Sequence, residues 1–340
     1  MKKSLVLTAI AATLAAPAFA QSSVTIYGRL NVSMESYKAG SASKRDWQQQ
    51  DNSSRIGFAG EEDLGGGNKA IFRIESGFDA STGQNNTYGT GSFWARESTV
   101  GLQTRYGTLK LGNLGIGNNE AYHATADYVS WVNHDTGRTS DYLYGGPIYA
   151  SQGLQNSVSY NTPDLNGFVG WVQTAEAYGG TNSKPISLAG YYDRGALHLG
   201  AGYEKLGDNK SIAVRANYDL GAFGIGGYFD HVSGDTAAVT GDREYNTWRL
   251  AGMYTLGANE FHLNYGGTNN VKVDGVDTQK KAWQVTVGYN YNLSKRTKVY
   301  AFATKLHDDA GSFSTVVSND AGTKATGGFN DFGVGIRHNF

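Results

Sequence analysis

The stretch that decides the fold is DFGVGIRHNF, residues 331–340. Phe332, Val334, Ile336, His338 and Phe340 fall on one parity, and Asp331, Gly333, Gly335, Arg337 and Asn339 on the other. Successive side chains of a strand point to opposite faces, so this is an extended segment with one apolar face that persists to the last residue. Soluble domains usually fray into polar sequence at a terminus. An apolar face kept to Phe340 therefore predicts that this face meets something other than water.

The same alternation recurs along the chain. In SVTIYGRLNVSM (23–34), Val24, Ile26, Leu30, Val32 and Met34 alternate with Thr25, Tyr27, Arg29, Asn31 and Ser33. KAWQVTVGYNYNL (281–293) sets Trp283, Val285, Val287, Tyr289 and Tyr291 against Gln284, Thr286, Gly288, Asn290 and Asn292. SIAVRANYDL (211–220) and NTWRLAGMYTL (246–256) behave alike.

Composition agrees with a chain made of strands. There are 47 Gly and 22 Tyr against 4 Pro and no Cys, which favours regular pairing and tight turns over helix. The formal net charge is −1, and more negative once Lys2 and Lys3 are set aside, which argues against a nucleic-acid partner. Residues 1–20, MKKSLVLTAIAATLAAPAFA, have two lysines, an apolar run from Leu5 to Ala15 and an Ala18-Phe19-Ala20 cleavage pattern. They read as a secretory signal peptide, too short in its apolar run for a membrane span. In an exported chain, the absence of cysteine leaves stability to hydrogen-bonded sheet and burial.

Between the strands, two kinds of connection take turns. About seven are short and rich in Gly, Asp and Asn (DLGGGNK, RYGTL, TPDLNGF, DRGAL, DLGAF, TLGANEF, NLSKRTK), as tight turns require. About eight are longer polar stretches, near 38–52, 79–92, 118–153, 177–185, 206–210, 232–245, 267–281 and 308–327. This rhythm implies roughly sixteen antiparallel strands with short turns on one side and long loops on the other, an outer-membrane arrangement. Alternation alone also fits a soluble sandwich. Two features favour a barrel over residues 21–340: small residues on the polar parity (Ala213, Ala251, Gly288), suited to a crowded lumen, and Tyr203, Tyr218, Tyr254, Tyr289 and Phe340 near strand ends, where an aromatic girdle belongs.

With the leader, SSVTIYGRLN (22–31), SSRIGFAGEEDLGGGNKAIFRIESGF (53–78), NSVSYNTPDLNGF (156–168) and GVGIRHNF (333–340), the chain resembles Gram-negative general-diffusion porins of the trimeric β-proteobacterial type. The resemblance implies a 16-stranded antiparallel transmembrane β-barrel, a homotrimer and a third extracellular loop folded inward, here 118–153. It carries the family's constriction arginines onto Arg55, Arg96 and Arg138. It also implies that the last strand, with Phe340, Ile336 and Val334, is what the barrel-assembly machinery reads. The chain departs from many relatives at Asn31, where they carry an acid, and at Asn339, where they carry a base.

The 118–153 stretch is the longest break in the alternation, and loops of that length are usually functional or disordered. Its tyrosines and Trp131 argue for packing, and Glu120, Asp127, Asp135 and Asp141 make it acidic around Arg138. An acidic loop facing wall arginines would set a transverse field across an aqueous path; the alternative is that these acids are simply solvated. Arg29 and Arg73 share the polar parity, Arg55 opposes Ile56 and Phe58, and Arg96 sits where no clean phase is visible. Each arginine serves either the ion path or an ion pair stiffening the wall, such as Arg73 with Glu75 or Glu61.

Signals for enzymology are weak. No histidine pair has ligand spacing, no nucleophile elbow or phosphate loop occurs, and neither metal nor cofactor is expected. The reading is a passive outer-membrane channel for small ions and hydrophilic solutes, surrounded by outer-membrane lipids and modestly anion-selective. Its rivals are a barrel phospholipase built on a Ser-His pair at the rim, for which His231 and His338 have the apolar parity, and a closed-lumen adhesin.

Overall fold

A computed structural model describes residues 23–39, 44–86, 92–114, 154–176, 183–234, 242–309 and 328–340. The expected leader and the expected constriction loop, with Arg138, Glu120, Asp127, Asp135 and Asp141, lie outside these residues.

The strands of the first half are β1 (Ser23–Ala39), β2 (Asp46–Asp51, continued by Arg55–Gly65), β3 (Asn68–Phe78), β4 (Glu97–Thr104), β5 (Gly107–Leu114), β6 (Leu154–Asn161), β7 (Phe168–Ala175) and β8 (Ile186–Arg194). The second half holds β9 (Leu197–Leu206), β10 (Asn209–Leu220), β11 (Phe223–Gly234), β12 (Arg243–Leu256), β13 (Asn259–Thr268), β14 (Ala282–Asn292), β15 (Thr297–Asp308) and β16 (Phe329–Asn339). Each pairs antiparallel with the next, and β16 returns to β1 in a register running from Arg29↔Asn339 to Ala39↔Phe329. The sheet is thus a closed barrel of 16 strands. Closure leaves no unpaired edge, the condition for burying a sheet in lipid.

Which face meets lipid follows from exposure. On β1, Leu30 and Met34 are exposed while Asn31, Ser33 and Glu35 are buried; on β16, Phe332, Val334 and Ile336 are exposed and Asp331 is buried. The pattern is an inside-out sheet around the whole circumference, with Val100, Leu111, Val158, Leu188, Val214, Leu250, Leu263 and Val287 in the outer belt. Ala213 and Ala251 are buried, on the inner parity as expected. At the rim of short turns, Phe223, Tyr254, Phe261 and Tyr289 line up as neighbouring rings 4.5, 6.4 and 5.3 Å apart, a segment of the expected girdle.

Several glycines serve close approach. The ring of Tyr300 lies over Gly335, that of Phe302 over Gly333 and that of Tyr27 over Gly57; on the outer face, Phe72 covers Gly60 and Phe340 covers Gly28. A Cβ at any of these positions would fall inside the ring's van der Waals envelope. Aromatic cover of strand glycines keeps the sheet continuous where it would otherwise lack side chain.

Two connections differ from expectation. The stretch near 206–210 is a two-residue turn between β9 and β10, because Gly207 takes the left-handed conformation (φ +61°) and closes the hairpin. Much of 38–52 is the start of β2, whose pairs run from Tyr37↔Asp46 to Val32↔Asp51. Its glutamines hid the alternation.

Candidate pore lining

Across β1–β5 the inner wall carries a group of charges on successive rows of the sheet toward the short-turn rim. Arg29 stands directly opposite Arg55, and one row on Glu75 stands opposite Glu97. Like charges facing across a ladder destabilise it unless opposite charges flank them. Here they do. Arg96 Nε donates to Glu75 Oε1 at 2.5 Å and Arg55 Nε lies 3.8 Å from the same oxygen. Glu97, fully buried, faces Arg73 Nη1 at 3.6 Å and Lys110 Nζ at 3.4 Å, and accepts from Thr99 Oγ1 at 2.8 Å. Arg29 Nε donates to Asn339 Oδ1 at 3.1 Å, across the barrel's closing seam.

Four of the sequence-derived arginines, Arg29, Arg55, Arg73 and Arg96, therefore meet in one wall. The expected partners of Arg73 are corrected: it reaches Glu97 on the neighbouring strand, because Arg55 and Arg96 occupy Glu75, and Lys69 holds Glu61 at 2.8 Å. Arg96 showed no phase because it sits in the irregular segment just before β4.

Sequence reasoning overlooked a second basic wall. Arg215 on β10 and Arg249 on β12 are both buried and flank Tyr228 in the register Arg215↔Tyr228↔Arg249. Arg249 Nη2 donates to Gln284 Oε1 at 3.2 Å. In a 16-strand ring, β11 is diametrically opposite β3, so this cluster faces the first across the lumen. Lys298 and Arg337 form another directly opposed basic pair, with Lys298 Nζ 3.0 Å from Glu260 Oε2. The signal was available, since Arg215 and Arg249 share the parity of Ala213 and Ala251.

Outside the wall, Asp79 and Asp277 shape the long-loop side. Burial alone would raise the Asp79 carboxyl, but hydrogen bonds from Ser81 and Thr82 hold it below its ordinary value. The Gln279 amide and then the Asn270 side chain lower that of Asp277. Among the described residues, no group of three or more His, Cys, Asp or Glu is arranged to hold a metal ion.

A closed barrel with a charged inner face and an apolar outer belt is the architecture of a membrane channel, and comparison with known proteins gives its lineage. A sequence profile of Gram-negative porins matches residues 6–311. The chain belongs to the Gram-negative porin family. It is 28% identical to outer membrane porin protein 32 of Delftia acidovorans, over all of both chains, and 30% identical to the major outer membrane protein P.IB of Neisseria lactamica, covering 92% of this chain and 95% of that one. The solved anion-selective porin from Comamonas acidovorans superposes with a TM-score of 0.74 at 25% identity, covering 94% of this chain and 100% of that one. An outer-membrane protein of Vibrio cholerae, OmpT in its trimer form, shares the fold at a TM-score of 0.69. This porin is a passive channel of the outer membrane.

Proposed function

We propose that this porin is a modestly anion-selective diffusion channel without catalytic activity. The observation that carries the reading is the placement of Arg55, Arg73 and Arg96 with Lys110 around two buried wall carboxylates, Glu75 and Glu97. In a confined passage such charges are screened less than exposed loop charges, whose field fades over about 8 Å in physiological salt. Arg215 and Arg249 on the facing wall add to the same sign. The Comamonas porin is named anion-selective, which agrees with this assignment.

On this reading Arg55, Arg96 and Arg138 border the narrowest path, and Glu120, Asp127, Asp135 and Asp141 in 118–153 supply the opposing field. Residues 1–20 are removed on export. The phospholipase alternative finds little support: His231 Nδ1 meets Asn246 Oδ1 at 2.7 Å and His338 Nδ1 meets Thr297 Oγ1 at 2.8 Å, so neither imidazole is paired with a serine there.

Reversal potentials under a salt gradient test the selectivity. Replacing Arg55 and Arg96 together with serine is expected to lower the anion-to-cation permeability ratio, whereas replacing Lys44 and Arg45 is expected to leave it nearly unchanged. Arg45 makes a suitable comparison because it donates to Ser36 O and its guanidinium lies over the outward Phe332 ring, away from the pore. A cation-preferring wild type, or an equal shift from both double variants, would make the arginine cluster a wall-stiffening network only.

A further inference from the structure

Rimward of Arg55 and Arg96, the wall of β1–β5 contains a recess of about 340 Å³. One row of the sheet, Thr25–Ala59–Arg73–Thr99–Gly112, crosses it, and the next row brings Lys110 in beside Gly101. The floor is open at Ala59, which carries little side chain, with Ile71 beside it and Gly101 and Gly112 adjoining on the neighbouring strands. Gly101 is fixed as glycine: a Cβ there would press on Leu109 O at 2.5 Å and on Lys110 Cγ at 3.1 Å.

Arg73 and Lys110 flank this floor, with the Thr25 and Thr99 side chains beside them. Both cations are held in place by Glu97, which lies fully buried behind them and takes the Thr99 hydroxyl as well. Arg73 is further steadied over the Tyr27 ring at 5.6 Å, yet its side chain keeps 45% of its exposure. The other carboxylate at the recess, Glu61, is occupied by Lys69 at 2.8 Å. One guanidinium and one ammonium, with the Thr25 hydroxyl beside them and a net positive balance, match a small oxyanion of more than one charge. The polar lining of the recess, Thr25, Arg73, Thr99 and Lys110, lies on the lumen parity, while Gly60 and Phe72 border it from the outer parity, so the occupant is a free solute and not a lipid headgroup.

We infer that this recess is a resting site for small divalent oxyanions of the phosphate class, one step rimward of the arginine cluster. The inference rests on the chain being an open channel. The test is chloride conductance of the full-length protein in planar bilayers, with inorganic phosphate added. Phosphate is expected to reduce the chloride current saturably. Lys110→Gln should raise the half-effect concentration about tenfold, the weight of one charge-assisted hydrogen bond. Ala59→Leu, which fills the floor while keeping every charge, should raise it at least as much. Lys298→Gln, on β15, should leave it within about twofold. An unsaturable effect, no change in either recess variant, or an equal shift from Lys298→Gln would overturn the site. Chloride conductance without a saturable phosphate effect refutes the recess alone; no conductance in the wild type refutes the channel reading itself. Heat-modifiable gel mobility establishes that each variant has folded, and the two recess variants alter different chemistry, so the failure of one to insert leaves the other decisive.

Discussion

At the level of single residues, the interior is held by amides and hydroxyls as much as by ions. Tyr300 OH donates to Asn31 Oδ1 at 2.9 Å and accepts from Asn52 Nδ2 at 3.0 Å, all three side chains being buried. Asn31 Nδ2 in turn donates to Asn52 O at 3.1 Å, and its backbone N–H donates to Ser54 Oγ at 3.0 Å. Together they brace the break in β2 at residues 52–54, where Ser53 adopts a φ of 65°. Tyr300→Phe keeps the ring over Gly335 but leaves two buried amide groups short of a partner, at a cost of about 1–3 kcal/mol. The expected result is a lower urea midpoint for loss of heat-modifiable mobility, with anion selectivity unchanged; an unaltered midpoint would show that water replaces the hydroxyl. Period two reveals which way Asn31, Arg73 or Arg249 points, because orientation is local. It is silent on partners, since Asn31 meets Tyr300 across 269 positions of sequence. Set against the family it resembles, the neutral Asn31 read as a missing charge, whereas the folded chain uses it as a connector.

Among the elements, the tight turns and strand faces were legible because glycine, asparagine and aspartate mark turns and the pleat marks faces. The stretch Asp46–Asp51 was not, since Trp47 is its one apolar residue and Gln49 stands opposite Met34, where the alternation would call for a hydrophobic side chain. The last strand separates two roles that its sequence combines. Phe340 exchanges backbone hydrogen bonds with Gly28, N–H to O at 3.0 and 3.1 Å, and its ring covers that glycine on the lipid side. Deleting Phe340 removes those contacts but leaves every pair from Arg29↔Asn339 to Ala39↔Phe329 in place. A barrel already inserted should therefore lose little stability. If the assembly machinery reads Phe340 with Ile336 and Val334, the deletion should instead lower outer-membrane yield severalfold, and Phe340→Tyr should restore most of it. Normal yield from the deletion would confine Phe340 to sealing the seam.

For the whole molecule, closure decides what an oligomer can be. The ladder from β1 through β16 and back leaves no edge by which strands of different chains could join one barrel. A barrel of this size encloses its own aqueous path, so subunits that associate do so through outer faces and each keeps its own channel. The roughly sixteen strands were visible in the rhythm of connections, and the barrel in its small lumen residues and rim aromatics; the register of β16 on β1 was not, because that pairing joins the two ends of the sequence. A homotrimer would accordingly carry three equal pores. In planar bilayers, large applied voltage is expected to close one inserted trimer in three steps of equal size, each with the reversal potential of the whole. The Arg55 and Arg96 double-serine protein should shift all three steps alike, since each subunit carries its own arginine wall. A single indivisible closure would mean that one shared path dominates, and steps with different reversal potentials would mean that association changes the wall charges of some subunits.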